Sequence, residues 1–476
     1  MARVSYIHKI FVALSLGFAG ASIVSCQMGK NESGVSEEAG DTIPMKYAQL
    51  LTIVKHGEEA GASGYEYADV IIENPWKQGS ALHRYILIPK GKEGDETVSM
   101  LAKRSNARES SAARCTVDTV RTPIDNSVVF TSPHCQLMYE LGAEDAIRGV
   151  CDLPYINIAD IKKRAASSQT SSLAASSQTS SLVASSQTSS RKASSSNASS
   201  KGPIMDCGSS MAPDIERIIA LKPQALLISP FENSGGYGKL DKLRIPIIET
   251  ADYMETSPLG RAEWMKFYGM LFGEKVEDEK PSPSPAGQGR YVSCEVRSDS
   301  LFARIEKEYL SLKAQAAKFP KGLSVLTERK TGNVWYVPGG KSTIGVLLKD
   351  ANARYIFEDD THSGSLAMSP EQILAKGKQV DVWAFKYFEP QPLTRPQLLQ
   401  EYKGYEALLA FNTRDIYECS TSSQPYFELT SFHPEILLRE FIILAHQDCS
   451  FGKLRFYKRM DTPDDLPVWG KTEECH

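Results

Sequence analysis

From Val128 onward, short apolar runs alternate with longer segments whose apolar residues recur every three or four positions, and this rhythm constrains the fold more than any other feature. Val128–Thr131, Ile147–Val150, Ala225–Ile228 and Ile245–Glu249 read as buried strands, since short continuous apolar runs suit a strand covered on both faces. Ser132 and Pro133 supply a helix cap and a first-turn proline, and Gly142 ends that helix. Ala212-Pro213 opens a second helix carrying Ile215, Ile218 and Ile219, and Leu259–Phe272 reads as a third. Strands joined through helices imply a mainly parallel sheet with right-handed crossovers.

The series is interrupted at 165–201, where SSQTSSLAA, SSQTSSLVA and SSQTSS repeat. A repeat of Ser, Gln, Thr and Ala has too little apolar surface to bury, so it reads as a disordered insertion in a surface connection. Pro281–Gly289 is a second polar insert. After it, Ser298–Phe319 places Leu301, Phe302, Ile305, Tyr309 and Leu312 on one face of a helix roughly 33 Å long. A second series follows: strands at Leu323–Thr327, Val334–Tyr336, Tyr355–Phe357 and Val380–Phe385, with helices at Ser342–Ala351, from Pro370, and near Pro434–His446. The expected fold is therefore α/β: two Rossmann-like lobes with mainly parallel sheets joined by one long helix. YEYADVIIENPW and ALHRYILIP, separated by the turn signal Lys77-Gln78-Gly79-Ser80, add an N-terminal β-rich extension.

The N-terminus bears on compartment. Arg3 and Lys9 precede an apolar run, Ile10–Val24, that is short for a membrane-spanning helix of about 20 residues. It ends in Ile23-Val24-Ser25-Cys26, which resembles a bacterial lipobox with Cys26 as the lipidated residue; the competing reading is a plain secretory signal. The expected organisation is a signal peptide at 1–26, a tether at 27–44, the β-rich extension at 45–92, and an N-terminal lobe at 115–280 carrying the 165–201 insertion. A linking helix at 298–320 and a C-terminal lobe at 321–460 complete it. Of nine cysteines, eight remain after Cys26, an even number compatible with disulfides in an oxidising compartment, though free thiols stay open. A net charge of −4 gives no reason to expect nucleic-acid binding, and a mean hydropathy of −0.29 excludes a polytopic membrane protein.

Several segments, in order, resemble the substrate-binding proteins of ABC importers for cobalamin, ferric siderophores and haem: Glu73–Trp76 (ENPW) followed by YILIP, Thr131–His134 (TSPH), and Ile215–Ile228. Ser257–Gly273, Trp335–Thr343 and Gly364–Lys376 complete the set. The resemblance implies two lobes joined by a single helix, a transported ligand in place of an intrinsic cofactor, and a permease with a cytoplasmic ATPase as partner. It further implies a monomer on the periplasmic face of a membrane, the outer membrane being the other possibility. The ENPW-type extension points toward iron compounds, ferric siderophore or haem, with cobalamin as the alternative. By the same resemblance, Glu216 and Glu371, one per lobe, are the permease-docking residues; complementing a helix dipole is the competing account of each.

In facing α/β lobes, ligands collect outside the carboxyl ends of the strands. His134, Ser234, Tyr237 and Arg261 in the first lobe, and Trp335, Tyr336, Tyr387 and Tyr426 in the second, are the candidate ligand-binding residues. The aromatics suit a flat macrocycle or a catecholate, and the competing reading is that they pack lobe edges. Arg261 sits in a helix's first turn, where the dipole disfavours a cation, so it calls for an anionic ligand or an internal carboxylate. Gly340-Lys341-Ser342 lacks the first glycine of a phosphate-binding loop, because Trp335 stands there. No catalytic residues and no metal ligands are assigned; a tetrapyrrole chelatase using His134 or another cleft histidine is the alternative of another class, and a haem-scavenging lipoprotein serving an outer-membrane receptor is a third.

Overall fold

A computed structural model of the chain describes residues 40–57, 65–90, 116–167, 202–232, 237–273 and 293–460. The expected signal peptide with Cys26, the serine repeat, the second polar insert and Ser234 lie outside these residues, as do Cys115, Cys475 and the Cys449 side chain.

The first sheet holds strands β1 (Asp41–Ile43), β2 (Leu51–His56), β3 (Tyr67–Glu73), β4 (Ala81–Pro89) and β5 (Thr116–Thr122) in that order. Strands β1 to β4 pair antiparallel, whereas β4 and β5 run parallel. Along β2, buried Leu51, Ile53 and Lys55 alternate with more exposed residues, the period-two pattern of a half-covered strand. The ENPW segment closes the β3–β4 turn: Asn74 Oδ1 accepts from the backbone N–H of Trp76 and of Lys77, both at 3.0 Å.

The second sheet is wholly parallel and built from β6 (Ser127–Val129), β7 (Ile147–Val150), β8 (Met205–Asp206), β11 (Ala225–Ile228) and β12 (Ile247–Glu249), in the order β12-β11-β6-β7-β8. Helix α1 (Ser132–Leu141) follows β6 and ends on Gly142 at φ 77, the left-handed conformation that a glycine tolerates. The second helix, α2 (Ile215–Leu221), starts later than the sequence suggests. Ala212-Pro213 forms β10, a short hairpin partner of β9 (Gly208–Ser209), and the cap is Asp214, whose carboxylate accepts from Arg217 N–H at 3.1 Å. The third helix breaks at Trp264 into α3 (Pro258–Glu263) and α4 (Met265–Phe272).

Two buried carboxylates tie the N-terminal sheet to this lobe. Glu263 accepts the backbone N–H groups of Lys46, Tyr47 and Ala48 at 3.0, 2.8 and 3.0 Å. Glu255 accepts those of Gln49 and Leu50, both at 2.9 Å. Donors left unpaired there would each cost about 1–3 kcal/mol, so these residues fix where the extension lies.

Helix α5 (Cys294–Ala316) links the lobes and buries Phe302, Ile305, Tyr309 and Leu312, the face expected from the sequence. Beyond it, β13 (Val325–Thr327), β17 (Val382–Tyr387) and β18 (Ile416–Ser420) pair in parallel, and β19 (Lys458–Arg459) closes the edge antiparallel. A separate antiparallel sheet, β14 (Lys330–Thr331), β15 (Val334–Pro338) and β16 (Ser365–Met368), stands beside them. Helices α6 (Thr343–Asp350), α7 (Pro370–Gly377), α8 (Arg395–Glu401), α9 (Leu409–Thr413), α10 (Tyr426–Thr430) and α11 (Pro434–His446) surround them. Tyr355–Phe357 is a turn and not a strand; a three-residue apolar run carries no period that separates the two. Cys135, Cys151, Cys207, Cys294 and Cys419 are buried, and no disulfide joins any two of them in this structure.

Candidate functional site

The carboxyl ends of β6, β7, β17 and β18 face a cleft of about 370 Å³ between the lobes. Its N-terminal wall is Phe130–Pro133 after β6, Asp152, Tyr155 and Ile156 after β7, Ser210 and Arg261. Its C-terminal wall is Phe388 after β17, Thr421 after β18, and Phe427 and Ser431 around α10. The strand-end rule therefore locates the cleft correctly.

Arg261 is held in that wall by a buried relay. Its Nε donates to Asp252 Oδ2 at 3.2 Å, and Asp252 has no solvent exposure. His134 Nε2 meets Asp252 Oδ1 at 2.8 Å, Tyr268 Oη–H donates to Oδ1 at 3.1 Å, and His134 Nδ1 is engaged by Thr131 Oγ1. Burial alone would raise the Asp252 carboxyl, but His134, Arg261 and Tyr268 outweigh it and hold it below the usual carboxylate range. The internal carboxylate that Arg261 called for is thus Asp252. The guanidinium stays partly exposed, with donors left over for a ligand. His134 is buried with both ring nitrogens engaged, so it acts through Asp252 and not as a free metal ligand.

The aromatic residues sort differently from the sequence expectation. Trp335 is fully buried; its Nε1 donates to Glu328 O at 3.1 Å, and Trp383 Nε1 donates to the same carbonyl at 2.8 Å. Tyr387 and Tyr426 are buried too, so these three are corrections: they form the lobe's interior. The exposed aromatics are their sequence neighbours. Tyr336 is 49% exposed, Phe388 46% and Phe427 48%. Side chains alternate along a strand and step about 100° around a helix, so adjacent residues face different ways. Tyr336 lies over a second hollow of about 390 Å³ on the C-terminal lobe, beside Glu328, Arg329 and Thr343. Tyr237 is also outside the cleft, with its hydroxyl donating to Glu249 Oε1 at 2.7 Å.

Tyr155 is the cleft residue that the sequence reading missed. It is 57% exposed and meets Phe388 across the cleft with ring centroids 4.8 Å apart. The signal was Pro154-Tyr155 directly after the β7 exit. Around the cleft, Asn157 backbone N–H donates to Glu428 Oε1 at 2.8 Å and its Nδ2 to Thr421 O at 2.8 Å. His433 joins Glu140 of the N-terminal lobe at 2.8 Å and Glu435 at 2.9 Å. Burial opposes charge on His433, but these two carboxylates raise it to about 9.

Glu216 and Glu371 are both exposed in the first turns of α2 and α7. The α2 helix leads into β11, and α7 leads into β17.

The model of the periplasmic binding protein family matches residues 165–281 and 288–422. Among curated proteins, the chain is 24% identical over 257 residues to one uncharacterised lipoprotein of Methanocaldococcus jannaschii, covering 53% of this chain and 55% of that protein. A second lipoprotein of that organism is 21% identical over 55% of this chain and 62% of its own length. The chain thus spans little more than half the length of these relatives. Among solved structures, a possible iron-binding (periplasmic solute-binding) protein of Staphylococcus epidermidis aligns with TM-score 0.42 and 14% identity over 68% of this chain and 99% of that one. A periplasmic heme-binding protein of Pseudomonas aeruginosa gives 0.43 and 12% over 68% and 94%. The vitamin B12-binding protein of Vibrio cholerae gives 0.40 and 11% over 68% and 96%. No helix among the described residues is long and apolar enough to cross a membrane.

Proposed function

The chain belongs to the periplasmic binding protein family, and from that premise we propose that it is the substrate-binding lipoprotein of an ABC importer, capturing an iron compound, ferric siderophore or haem, in the interlobe cleft. The observation that carries this reading is the pairing of a fixed guanidinium, Arg261, with the exposed rings of Tyr155, Phe388 and Phe427 around one cavity. A flat or aromatic ligand bearing carboxylates or phenolates meets both needs: its faces lie on the rings and its charge meets Arg261. Cobalamin offers a corrin face but less anionic edge, and is the second reading.

Cys26 supplies the lipid anchor in this account, and Glu216 and Glu371 dock the two lobes on the permease subunits. The importer's ATPase resides on other chains. A chelatase reading would need a histidine free to take a metal, whereas both nitrogens of His134 are occupied. The test is a ligand panel: haem, a ferric catecholate, a ferric hydroxamate and cyanocobalamin, each titrated into the full chain and followed by absorbance and intrinsic fluorescence. Saturable one-to-one binding of an iron compound is expected. Binding of cobalamin alone, or metal insertion into free porphyrin, overturns the assignment.

A further inference from the structure

Two cysteines stand side by side where the first lobe's sheet meets the cleft. The β7–β8 ladder ends with Val150 opposite Asp206, and hydrogen bonds carry the pairing past that point. Cys207 N–H donates to Val150 O at 2.8 Å, and Asp152 N–H donates to Gly208 O at 2.8 Å. Cys151 and Cys207 are therefore neighbours on adjacent strands. Strands in a sheet lie about 4.8 Å apart, inside the range of about 4.4–6.8 Å that disulfides span between Cα atoms.

The thiols also share a face. A Cβ built on Gly149 would meet Cys207 Sγ at 2.8 Å, so the Cys207 side chain covers position 149. Residues two apart on a strand point the same way, which puts Cys151 on that face as well. Cys151 Sγ lies 3.9 Å from Cys207 O, and both residues belong to one buried cluster with Val128, Ile218 and Leu226.

The geometry points to a Cys151–Cys207 disulfide as a modification site of the exported protein, stapling the carboxyl end of β7 to the segment that leaves β8. The chemistry is thiol–disulfide exchange with a disulfide donor, a protein oxidase or oxidised glutathione. One cysteine thiolate attacks the donor's S–S bond and releases one donor thiolate. The second cysteine thiolate then displaces the other donor sulfur, forming the bridge. The two cysteines lose two electrons, the donor gains them, and the two protons go to the departing thiolates. Burial pushes both thiols up, Cys207 to about 12, which makes thiolate scarce in the folded state. The exchange therefore belongs to the interval in which the chain folds, and burial then seals the product.

The bridge has a consequence for the cleft. Cys151 lies in the cleft lining and precedes the Asp152–Ile156 turn that presents Tyr155 to Phe388. Ser210 N–H donates to Asp152 Oδ1 at 3.1 Å, so the same turn is already tied to the β9–β10 hairpin. A disulfide beside that hydrogen bond fixes the arm carrying Tyr155. None of this depends on which ligand enters.

Trypsin isolates the two cysteines on separate peptides, 149–162 and 202–217, each with a single cysteine. The full chain is refolded from the reduced, denatured state in a glutathione buffer, free thiols are blocked with N-ethylmaleimide under denaturation, and the digest is measured without reduction. The expected result is one cross-linked species, two hydrogens lighter than the sum of both peptides, that disappears in Cys151→Ser and in Cys207→Ser. Folded chain with both peptides alkylated overturns the inference, as does Cys151 linked to Cys135, the nearby thiol on α1. If refolding yields no folded chain, the same digest on protein blocked inside the exporting cells decides between these outcomes.

Discussion

On the N-terminal side of the cleft a charge is held by other charges, whereas on the C-terminal side the surface is aromatic and rests on more aromatics. Arg261 owes its position to Asp252, which His134 and Tyr268 hold in turn. Phe388 and Phe427 instead stand on a lobe whose interior is Trp335, Trp383 and Tyr405, with centroid separations of 4.7–5.9 Å. Beneath that side Lys386 pairs with Glu328, and the carboxylate outweighs burial and raises the ammonium. The difference teaches how each wall fails. A relay of buried charges loses everything when one member goes, while an exposed ring can be removed with little effect on the fold.

The largest expected effect engages both lobes at once. Glu216→Ala combined with Glu371→Ala should abolish uptake through the importer and leave ligand affinity unchanged, measured by transport into vesicles beside a binding titration. A loss of affinity would mean that the two carboxylates serve the cleft and not the permease. Each single substitution should leave partial uptake if the lobes dock independently.

Next is Asp252→Asn. With the charge gone, Arg261 and His134 lose their common partner inside the lobe, and stability should fall by about 3–5 kcal/mol in urea denaturation. A change below about 0.5 kcal/mol would contradict the relay. The sign of its pH dependence follows from the depressed carboxyl. The stabilisation is present above the ordinary aspartate range, near 4, and is lost as pH falls through the lower folded value. The Asn variant should lack that acid limb.

The smallest effect concerns the seam between the walls. His433 is raised to about 9 by Glu140 and Glu435, so its contribution is complete below about 6.5 and disappears as pH rises through about 9. The urea midpoint of the wild type should therefore drop between pH 6.5 and 9.5 more than that of His433→Gln. Equal drops would show that the pair between the lobes contributes nothing.

The sequence was legible wherever a strong period or a cap was present. The β7 strand matches residue for residue, α1 ends on its glycine, and α11 spans the expected Pro434–His446. Reading failed where geometry inverts over a single residue. Tyr387 beside Phe388 and Tyr426 beside Phe427 are pairs in which the expected residue is buried and its neighbour is exposed, and of the two expected residues Trp335 and Tyr336 only Tyr336 is exposed, because composition carries no record of which side of a strand faces outward. Asp252 was invisible as a partner for Arg261, nine residues away, since only the packing of α3 against its preceding turn brings them together. Pro213 misled in the opposite direction: it resembled a helix start, yet a proline is equally at home at the edge of a short hairpin.

The most direct test is a titration of the bound iron compound into wild type, Arg261→Ala, and Phe388→Ala combined with Phe427→Ala, each shown by circular dichroism to be folded under the titration conditions. Capture between the two walls predicts at least a tenfold loss of affinity, about 1.4 kcal/mol, in both variants. Wild-type affinity in both would contradict it, because a ligand indifferent to the fixed charge and to the exposed rings is not bound in this cleft.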